Sequence, residues 1–187
     1  MTETSTEFLE IRARLGAKVL DACEAQGDPI LFLDRAGLRD SFRALKEDRA
    51  LDYDFLSDIT AVDYWKKKEP RFEVVYQLVS MARRRRLRVR VPVPESDPNV
   101  ESLTPIWRGA NFLEREVWDL FGIRFIDHPD LRRVLLYEEF QGHPLRKDYP
   151  VNLCQPRVPE RKVEGTFVDE RSKNKLLRLK KALGIRN

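Results

Sequence analysis

Residues 72–81 read FEVVYQLVSM and, after a run of arginines, residues 87–93 read LRVRVPV. The first stretch is rich in the β-branched and aromatic residues that favour strands. The second alternates apolar residues with arginines, which predicts a strand with one buried face and one wet face. Because a short polar turn joins the two stretches, the sequence predicts an antiparallel pair. Pro92 and Pro94 either end this pairing or place the second strand at an edge of the sheet.

The residues upstream of this pair supply further strands and helices. Residues 55–64 predict a third strand, which ends in the polar turn 66–70. Residues 4–26 carry apolar side chains at steps of three and four behind a capping-box spacing, which predicts an amphipathic helix. A short buried strand at 30–33 and a short helix from Leu38 follow.

Downstream, residues 98–105 are expected to form a linker that leads into another helix. Thr104-Pro105 has the capping residue and the proline that start many helices. Apolar side chains then recur at helical steps as far as Leu120, and Gly122 is the expected end. Residues 123–126 predict one more short strand. The fold class is therefore α+β, with a small, mostly antiparallel sheet packed with helices.

Regular periodicity fades after Ile126, so the sequence predicts two parts. A globular α+β domain spans residues 1–126, and an extended C-terminal arm spans residues 127–187. Residues 173–183 have apolar side chains at helical spacing and predict a short basic helix. The rest of the arm alternates charge with proline and glycine. Such a segment is poorly suited to fold alone and well suited to lie on a partner's surface through charge-assisted hydrogen bonds.

Composition and charge limit the classes of protein to which the chain can belong. No apolar run approaches the ~18–20 residues of a membrane-spanning helix, and the acidic, polar N-terminus resembles neither a secretory signal nor a transit peptide. Membrane contact is therefore expected only through a partner. The net charge is +4, but residues 157–187 hold ten basic and four acidic residues. This asymmetry predicts that the basic tail lies on an acidic surface.

The residue types that build catalytic and cofactor sites are scarce and scattered. The chain has two histidines, His128 and His143, and two cysteines, Cys23 and Cys154, without any CxxC pair. A metal centre needs several such ligands together, and an iron–sulfur cluster needs about four. Neither a glycine-rich phosphate loop nor a GxSxG motif occurs. The sequence thus predicts no catalytic residue, no bound cofactor and no metal ion in this chain.

The most basic stretch is the run Arg83–Arg90. Such a face could bind nucleic acid, because RNA-binding sheets display basic and aromatic residues. Here no aromatic residue is interleaved with the arginines. A solvated face or a protein interface is therefore the favoured interpretation, and no nucleic-acid partner is expected. A nucleic-acid-binding protein stays open as the less favoured alternative.

Three motifs in the second half of the chain occur in a recognisable order. They read EREVWDLFGI at 114–123, HPDLRR at 128–133 and GHPLRKDYP at 142–150. Shorter motifs precede them, namely DITAVDY at 58–64, RFEVVY at 71–76 and SLTP at 102–105. Together these motifs closely resemble the 30-kDa (C-type) subunit of respiratory complex I, the proton-pumping NADH:quinone oxidoreductase.

This resemblance implies a cofactor-free structural subunit of the peripheral arm of the complex, on the cytoplasmic side of the bacterial inner membrane. Flavin, iron–sulfur clusters and quinone would belong to partner subunits. The C-terminal arm would dock on the 49-kDa (D-type) subunit, which lines the quinone site with the B-type subunit, and other peripheral-arm subunits would lie nearby. The complex passes electrons from NADH to quinone and couples this to proton translocation. Related subunits occur in membrane-bound hydrogenases and in complexes with other electron donors, so that alternative stays open.

The resemblance and the charge-dense, non-periodic arm together indicate which side chains meet a partner. They lie on the helix before Gly122 and on the arm that follows it. The expected interface residues are Glu114, Arg115, Glu116, Trp118, His128, Arg132, Arg133, His143, Arg146, Lys147 and Asp148. The surface that the basic tail contacts stays undetermined.

Overall fold

The computed structural model describes residues 6–158 and gives them an α+β fold. Its α-helices are α1 (Thr6–Leu15), α2 (Leu38–Glu47) and α3 (Ala110–Phe121). Its strands are β1 (Val19–Ala25), β2 (Asp28–Leu33), β3 (Phe55–Asp63), β4 (Phe72–Ser80), β5 (Arg85–Val93), β6 (Asn99–Glu101) and β7 (Arg124–Ile126). Five strands form one sheet in the order β1-β2-β5-β4-β3, and β6 pairs with β7. Neighbours in the five-stranded sheet are antiparallel except β2 and β5, so the predicted fold class is confirmed.

One face of the sheet forms the core. The apolar residues of β5 are all buried, and they lie opposite buried residues of β4, for example Val89 opposite Tyr76. Helix α2 packs here through Phe42, whose ring centroid lies 4.7 Å from that of Tyr76 and 6.0 Å from that of Trp107. Burying one large apolar side chain contributes about 1.5–3 kcal/mol. This cluster therefore holds α2, the sheet and the turn before α3 together.

The N-terminal region departs from the predicted helix over residues 4–26. The helix ends at Leu15, and Val19–Ala25 forms strand β1, which pairs antiparallel with β2. An apolar spacing of four fits a helix and also fits alternate positions of a strand, so the pattern did not distinguish the two. Gln26 and Gly27 have φ angles of 56° and 83°, as the two-residue turn of a hairpin requires. Hairpin pairing with β2 thus outweighs the helical pattern.

The structure distinguishes the two alternatives for Pro92 and Pro94 and corrects the start of the following helix. Strand β5 lies inside the sheet, between β2 and β4, so the edge position is wrong, and the strand ends at Val93, directly before Pro94. Pro92 is accommodated there because pairing with β2 ends two residues earlier, while pairing with β4 continues. The predicted linker 98–105 contains strand β6, and the following helix begins at Ala110 rather than at Thr104. The turns before this helix place Trp107 in the core, where its Nε1 donates to a backbone carbonyl oxygen at 2.8 Å.

Residues 127–156 pack with the preceding described residues. The described residues up to Pro156 form one compact unit, so compactness extends past the predicted boundary at residue 126. Docking of this segment on a neighbouring subunit stays a prediction. The capping box at the start of the chain, the predicted helix 173–183 and most of the basic tail lie outside the described residues. Within residues 6–158, the helices are too short or too polar to cross a membrane.

Candidate docking interface

Helix α3 carries three charged side chains that are buried. Glu114, Arg115 and Asp119 are 0%, 8% and 0% exposed. Arg115 and Asp119 are four residues apart, so they lie on the same face of the helix. A buried charge is tolerated only where hydrogen bonds replace water. For Arg115 and Asp119 those bonds come from the arm that follows β7.

Asp119 holds residues 133–136 of the arm against α3. Its Oδ2 accepts from the backbone N–H groups of Val134, Leu135 and Leu136 at 3.1, 3.0 and 2.9 Å. Its Oδ1 accepts from Nη1 of Arg133 at 2.6 Å. Burial raises the pKa of Asp119, but these donors outweigh burial and leave the pKa below its usual value. The carboxylate is therefore ionised at neutral pH and anchors the arm.

Arg115 and Arg133 hold two stretches of the arm through backbone carbonyl oxygens. Arg115 donates from Nε and Nη2 to the carbonyl oxygens of Arg132 and Arg133, at 3.1 and 3.0 Å. Arg133 Nη2 donates to the carbonyl oxygens of Phe140 and Gly142, at 2.8 and 3.2 Å. Hydrogen bonds from a charged donor contribute about 1.5–3 kcal/mol each. The arm is thus folded on its own helix by several such bonds.

The C-terminal end of α3 receives the second motif of the arm. His143 Nδ1 lies 2.9 Å from the carbonyl oxygen of Asp119, and Arg146 Nε donates to that of Phe121 at 2.5 Å. These carbonyl groups have no partner inside the helix, so the arm caps the helix. Because a carbonyl only accepts, Nδ1 of His143 carries the proton, and burial lowers the pKa of the ring. Gly122 has φ 75°, and a Cβ there would lie 2.6 Å from both arm side chains.

The third anchor is Arg71, which lies just before β4 and is 2% exposed. Its Nε and Nη2 donate to the two carboxylate oxygens of Asp63, at 2.9 and 2.8 Å. It also donates to Asp148 at 2.6 Å and to Glu95 at 2.5 Å. The backbone N–H of Lys147 donates to Asp63 at 2.8 Å. The hydrogen bond to Asp63 raises the pKa of Arg71 most, and the Arg71 guanidinium lowers that of Asp148. Residues 147 and 148 of the arm are thereby tied to the β3–β4 hairpin.

Glu114 occupies a different environment, between α3 and the turn before it. Its Oε1 accepts from the backbone N–H of Leu103 at 2.6 Å, and its Oε2 accepts from Ser102 Oγ at 2.7 Å. Burial raises the pKa of Glu114 to about 7, against these two donors and the positive charge of Arg39. This carboxyl group therefore changes its charge near neutral pH.

His128 lies beside Glu114 without forming an ion pair. Its Nε2 is 4.0 Å from the carboxylate and 3.1 Å from the carbonyl oxygen of Asn111. Its Nδ1 accepts from the backbone N–H of Asp130 at 3.0 Å, so the proton is on Nε2. Burial lowers the pKa of the ring. His128 is consequently neutral at neutral pH and orients the turn after β7 through its hydrogen bonds.

The structure places the predicted interface residues in two groups. One group has partners within this chain, and its members are Glu114, Arg115, His128, Arg133, His143, Arg146 and Asp148. In the other group, Arg132 pairs with the exposed Asp130 at 2.9 Å, the half-buried Trp118 lies under Arg133, and the side chains of Glu116 and Lys147 are exposed. Contact of any of these residues with another subunit stays a prediction. What the structure adds is that the first group fixes the shape of the arm.

Three residues central to this arrangement were not among the expected interface residues. Asp63, Arg71 and Asp119 each lie inside one of the motifs quoted above. The signal that could have singled them out is a charge placed beside or within an apolar run. Such a charge, when buried, needs a partner of opposite sign or several hydrogen bonds.

The described part of the arm also exposes apolar side chains. Twelve large apolar side chains are exposed among the described residues, and six of them lie between residues 127 and 158. These six are Leu135, Tyr137, Leu145, Val151, Leu153 and Val158. Their exposed fractions run from 38% for Tyr137 to 97% for Val151. Concentrated exposed apolar side chains mark surfaces that bind other proteins.

Side chains that could bind a metal ion are scattered over the described part of the chain. Within residues 6–158, three or more His, Cys, Asp or Glu side chains do not converge in a geometry that could hold a metal ion. That the chain is free of cofactors stays a prediction.

Comparisons with known sequences agree with one another. The model of the family described as "Respiratory-chain NADH dehydrogenase, 30 Kd subunit" matches residues 31–154. The C-type subunit of NADH-quinone oxidoreductase from Geobacter sulfurreducens is 43% identical over 151 residues, which cover 81% of this chain and 92% of that protein. Its counterpart from Roseiflexus sp. is 43% identical over 149 residues, which cover 80% of this chain and 85% of that protein.

Comparisons with solved structures give the same fold. The trypsin-resistant fragment (1-134) of Nqo5 matches with a TM-score of 0.56 and 41% identity, over 66% of this chain and 95% of the fragment. A chain of the membrane-bound sulfane sulfur reductase, an archaeal respiratory membrane complex, matches with a TM-score of 0.66 over 84% of this chain and 96% of that one. At 20% identity, the second likeness shows a shared fold alone.

Proposed function

The chain belongs to the family of the respiratory-chain NADH dehydrogenase 30-kDa subunit, and from this premise we propose that it is a structural subunit in the peripheral arm of an NADH:quinone oxidoreductase. It binds no cofactor itself, and flavin, iron–sulfur clusters and quinone belong to partner subunits. It supports the 49-kDa (D-type) and B-type subunits while electrons pass from NADH to quinone, coupled to proton translocation. The chain lies on the cytoplasmic side of the membrane and contacts the membrane only through the complex.

This proposal rests on the structure of the arm. Its backbone is bonded to the rest of the chain, and its surface exposes apolar side chains. Asp119 fixes residues 133–136 of the arm, and Arg71 fixes Asp148, on the chain's own body. Leu135, Val151 and Leu153 remain exposed on it. A surface that is ordered before binding loses less conformational entropy on association. Apolar side chains within a polar surround are also the usual composition of an interface centre.

A subunit of this kind acts on electron transfer through geometry. Reacting groups must be held within about 0.5 Å of their productive positions by a supporting shell. The arm is joined to α3 by Asp119 and Arg115 and to the β3–β4 hairpin by Arg71. A neighbour docked on the arm would therefore be fixed to the core of this domain rather than to a free segment.

A related role is the alternative, namely the equivalent subunit of a membrane-bound hydrogenase or of a complex with another electron donor. The observation in its favour is that a chain of the sulfane sulfur reductase shares the fold with a TM-score of 0.66. That likeness has 20% identity, whereas the Geobacter sulfurreducens relative is 43% identical. The NADH:quinone oxidoreductase is therefore the better supported assembly.

A nucleic-acid-binding role for the face Arg83–Arg90 has less support. Arg88 pairs with Asp28 at 3.3 Å, and Arg90 lies 2.9 Å from a carboxylate oxygen of Glu73. Two of the arginines that would contact phosphates are thus neutralised within the fold. Steeply salt-dependent binding of RNA or DNA by the full chain would be required to revive this role.

The proposal is tested by isolating the tagged full chain from membranes solubilised in a mild detergent. We expect the D-type and B-type subunits to co-purify in equal amounts, with NADH:quinone activity in the same fraction. The chain purified alone should be colourless and contain no metal by elemental analysis. Recovery of the chain solely apart from membrane proteins would contradict the proposal. Recovery in a membrane complex that does not oxidise NADH would favour the alternative.

A further inference from the structure

The end of the sheet beside the β4–β5 turn carries arginines that the docking of the arm does not use. Arg84, Arg85 and Arg86 are exposed, and within the described residues their side chains have no hydrogen bond or ion pair. The adjacent Arg83 donates to the carbonyl oxygen of Arg49 at 2.7 Å, which leaves its charge without a counterion. Positive charge is therefore concentrated at one end of the sheet.

The next arginines along β5 differ from these in one respect. Arg88 and Arg90 lie beside Asp28 and Glu73, which balance their charges within the fold. A solvated surface by itself accounts for unpaired arginines, so charge alone does not identify a site. The shape of the surface beside the turn supplies a second observation.

Two adjoining depressions lie at this end of the sheet. One has a volume of about 360 Å³ and is lined by Ser57, Gln77 and Arg86 among others. The other has a volume of about 320 Å³ and is lined by Arg84, Arg85 and Arg86 together with the start of β2. They share Arg86 and Asp28, whose charge Arg88 balances at 3.3 Å, and together they form one groove. The Ser57 hydroxyl and the Gln77 amide have no bond within the described residues and are available to a ligand.

The groove runs across the strands rather than along them. Ser57 lies on β3, Gln77 on β4, Arg86 on β5 and Asp28 at the start of β2, and these four strands are consecutive neighbours in the sheet. At about 4.8 Å between strands, the groove spans about 14 Å, the length of four to five extended residues. Its dimensions therefore suit a short stretch of peptide.

We propose that this basic groove, formed by Ser57, Gln77 and Arg84–Arg86, binds a short acidic segment of a partner protein in an extended conformation. Guanidinium groups bind carboxylates with two parallel hydrogen bonds, and the hydroxyl and amide of the groove can bond a peptide backbone. The groove lining contains no aromatic ring on which a base could stack. A single extended chain can also enter the groove, whereas the flat surface of a lipid bilayer cannot. This second surface goes beyond the docking of the arm and does not depend on it.

The test uses the purified full chain and a labelled peptide of alternating glutamate and serine, about ten residues long, roughly twice the span of the groove. Binding is followed by fluorescence anisotropy. The groove variant carries Arg84→Gln, Arg85→Gln and Arg86→Gln. The matched control carries Arg12→Gln, Arg108→Gln and Arg124→Gln, which remove three exposed arginines elsewhere and change the net charge equally. Circular dichroism checks that both variants fold.

We expect the groove variant to bind the peptide about tenfold more weakly or worse, and the control to differ from wild type by less than about threefold. A photo-crosslinker at Gln77 should capture the peptide, while one at the exposed Glu116 should not. Equal weakening in both variants would show attraction by net charge alone and would overturn the proposal. Tighter binding to phosphatidylserine vesicles or to single-stranded DNA than to the peptide, abolished in the groove variant, would also overturn it.

Discussion

Glu114→Gln is expected to remove a pH dependence from the folding stability of the chain. The side chain is buried, and it accepts hydrogen bonds from Leu103 and Ser102. Burial raises its pKa from 4.5 to about 7, against the positive charge of Arg39. At neutral pH the neighbouring His128 is neutral and does not compensate a carboxylate, because burial lowers its pKa. Glutamine keeps the size and the acceptor oxygen of glutamate but has no proton to lose.

The sign and size of the effect follow from the two pKa values of Glu114. Between pH 4.5 and about 7, the folded chain holds a proton that the unfolded chain has released. The free energy of unfolding therefore falls as the pH rises through this window. Each unit of difference between the two pKa values corresponds to 1.36 kcal/mol. The free energy of unfolding of the wild type therefore falls by about 3 kcal/mol across this window. This contribution is complete below about pH 4.5 and is absent above about pH 7.

Urea denaturation of the wild type and of Glu114→Gln, at a series of pH values across this window, measures the effect. Subtracting the two free energies of unfolding removes the contributions of groups that both chains share away from the substitution, among them Asp63, Asp119, Asp148 and His143, whose pKa values are lowered. We expect the wild type to lose stability relative to the variant as the pH rises. A difference that stays constant with pH, or that changes in the opposite direction, would refute the reasoning.

The remaining predictions concern the residues that anchor the arm. Arg71→Met leaves the buried carboxylate of Asp63 without its partner and should cost about 3–5 kcal/mol in urea unfolding. Adding Asp63→Asn should restore part of this loss, and a double variant no more stable than the single one would contradict the assignment. Asp119→Asn should speed hydrogen exchange, measured by NMR, about tenfold or more at the three backbone amides that donate hydrogen bonds to this carboxylate. Unchanged exchange rates would argue that Asp119 does not anchor the arm. Gly122→Ala should lower the thermal midpoint, because a Cβ there meets arm atoms at 2.6 Å and φ is +75°. Gly109→Ala, which meets no atom within 4 Å, is the control, and equal midpoints would show that the end of α3 is not crowded.

The elements that sequence patterns predicted well are those in which local signals and tertiary contacts agree. β4 and β5 were predicted because alternation and β-branched residues coincide with their burial in the sheet. The end of α3 was predicted because Gly122 adopts the positive φ that such an end requires. By contrast, β1 was read as helix, since an edge strand with mostly exposed residues lacks a clean alternation. Strand β6 has three residues and depends on β7 for its pairing, which no local pattern reveals.

Sequence patterns likewise predicted one part of the candidate interface and missed another. The sequence drew attention to Arg115 and to the arm, and the family resemblance is confirmed. It did not show that Arg115 and Arg133 bond to carbonyl oxygens of the arm itself. A charge-dense segment without periodicity looks alike whether its charges bond to a partner or to the same chain. Only the three-dimensional positions separate residues that shape the arm from residues left at its surface.

The central claim is that the arm meets its partner through exposed apolar side chains. It is tested most directly by measuring the fraction of the chain that is recovered in the membrane complex. The variant is Leu135→Ser with Leu153→Ser, and the matched control is Leu9→Ser with Leu20→Ser, which are exposed elsewhere. At about 1.5–3 kcal/mol for each buried leucine, we expect the arm variant to assemble at least about tenfold less, with the thermal midpoint of the free chain unchanged and the control assembling normally. Assembly of the arm variant at the wild-type level would contradict the claim.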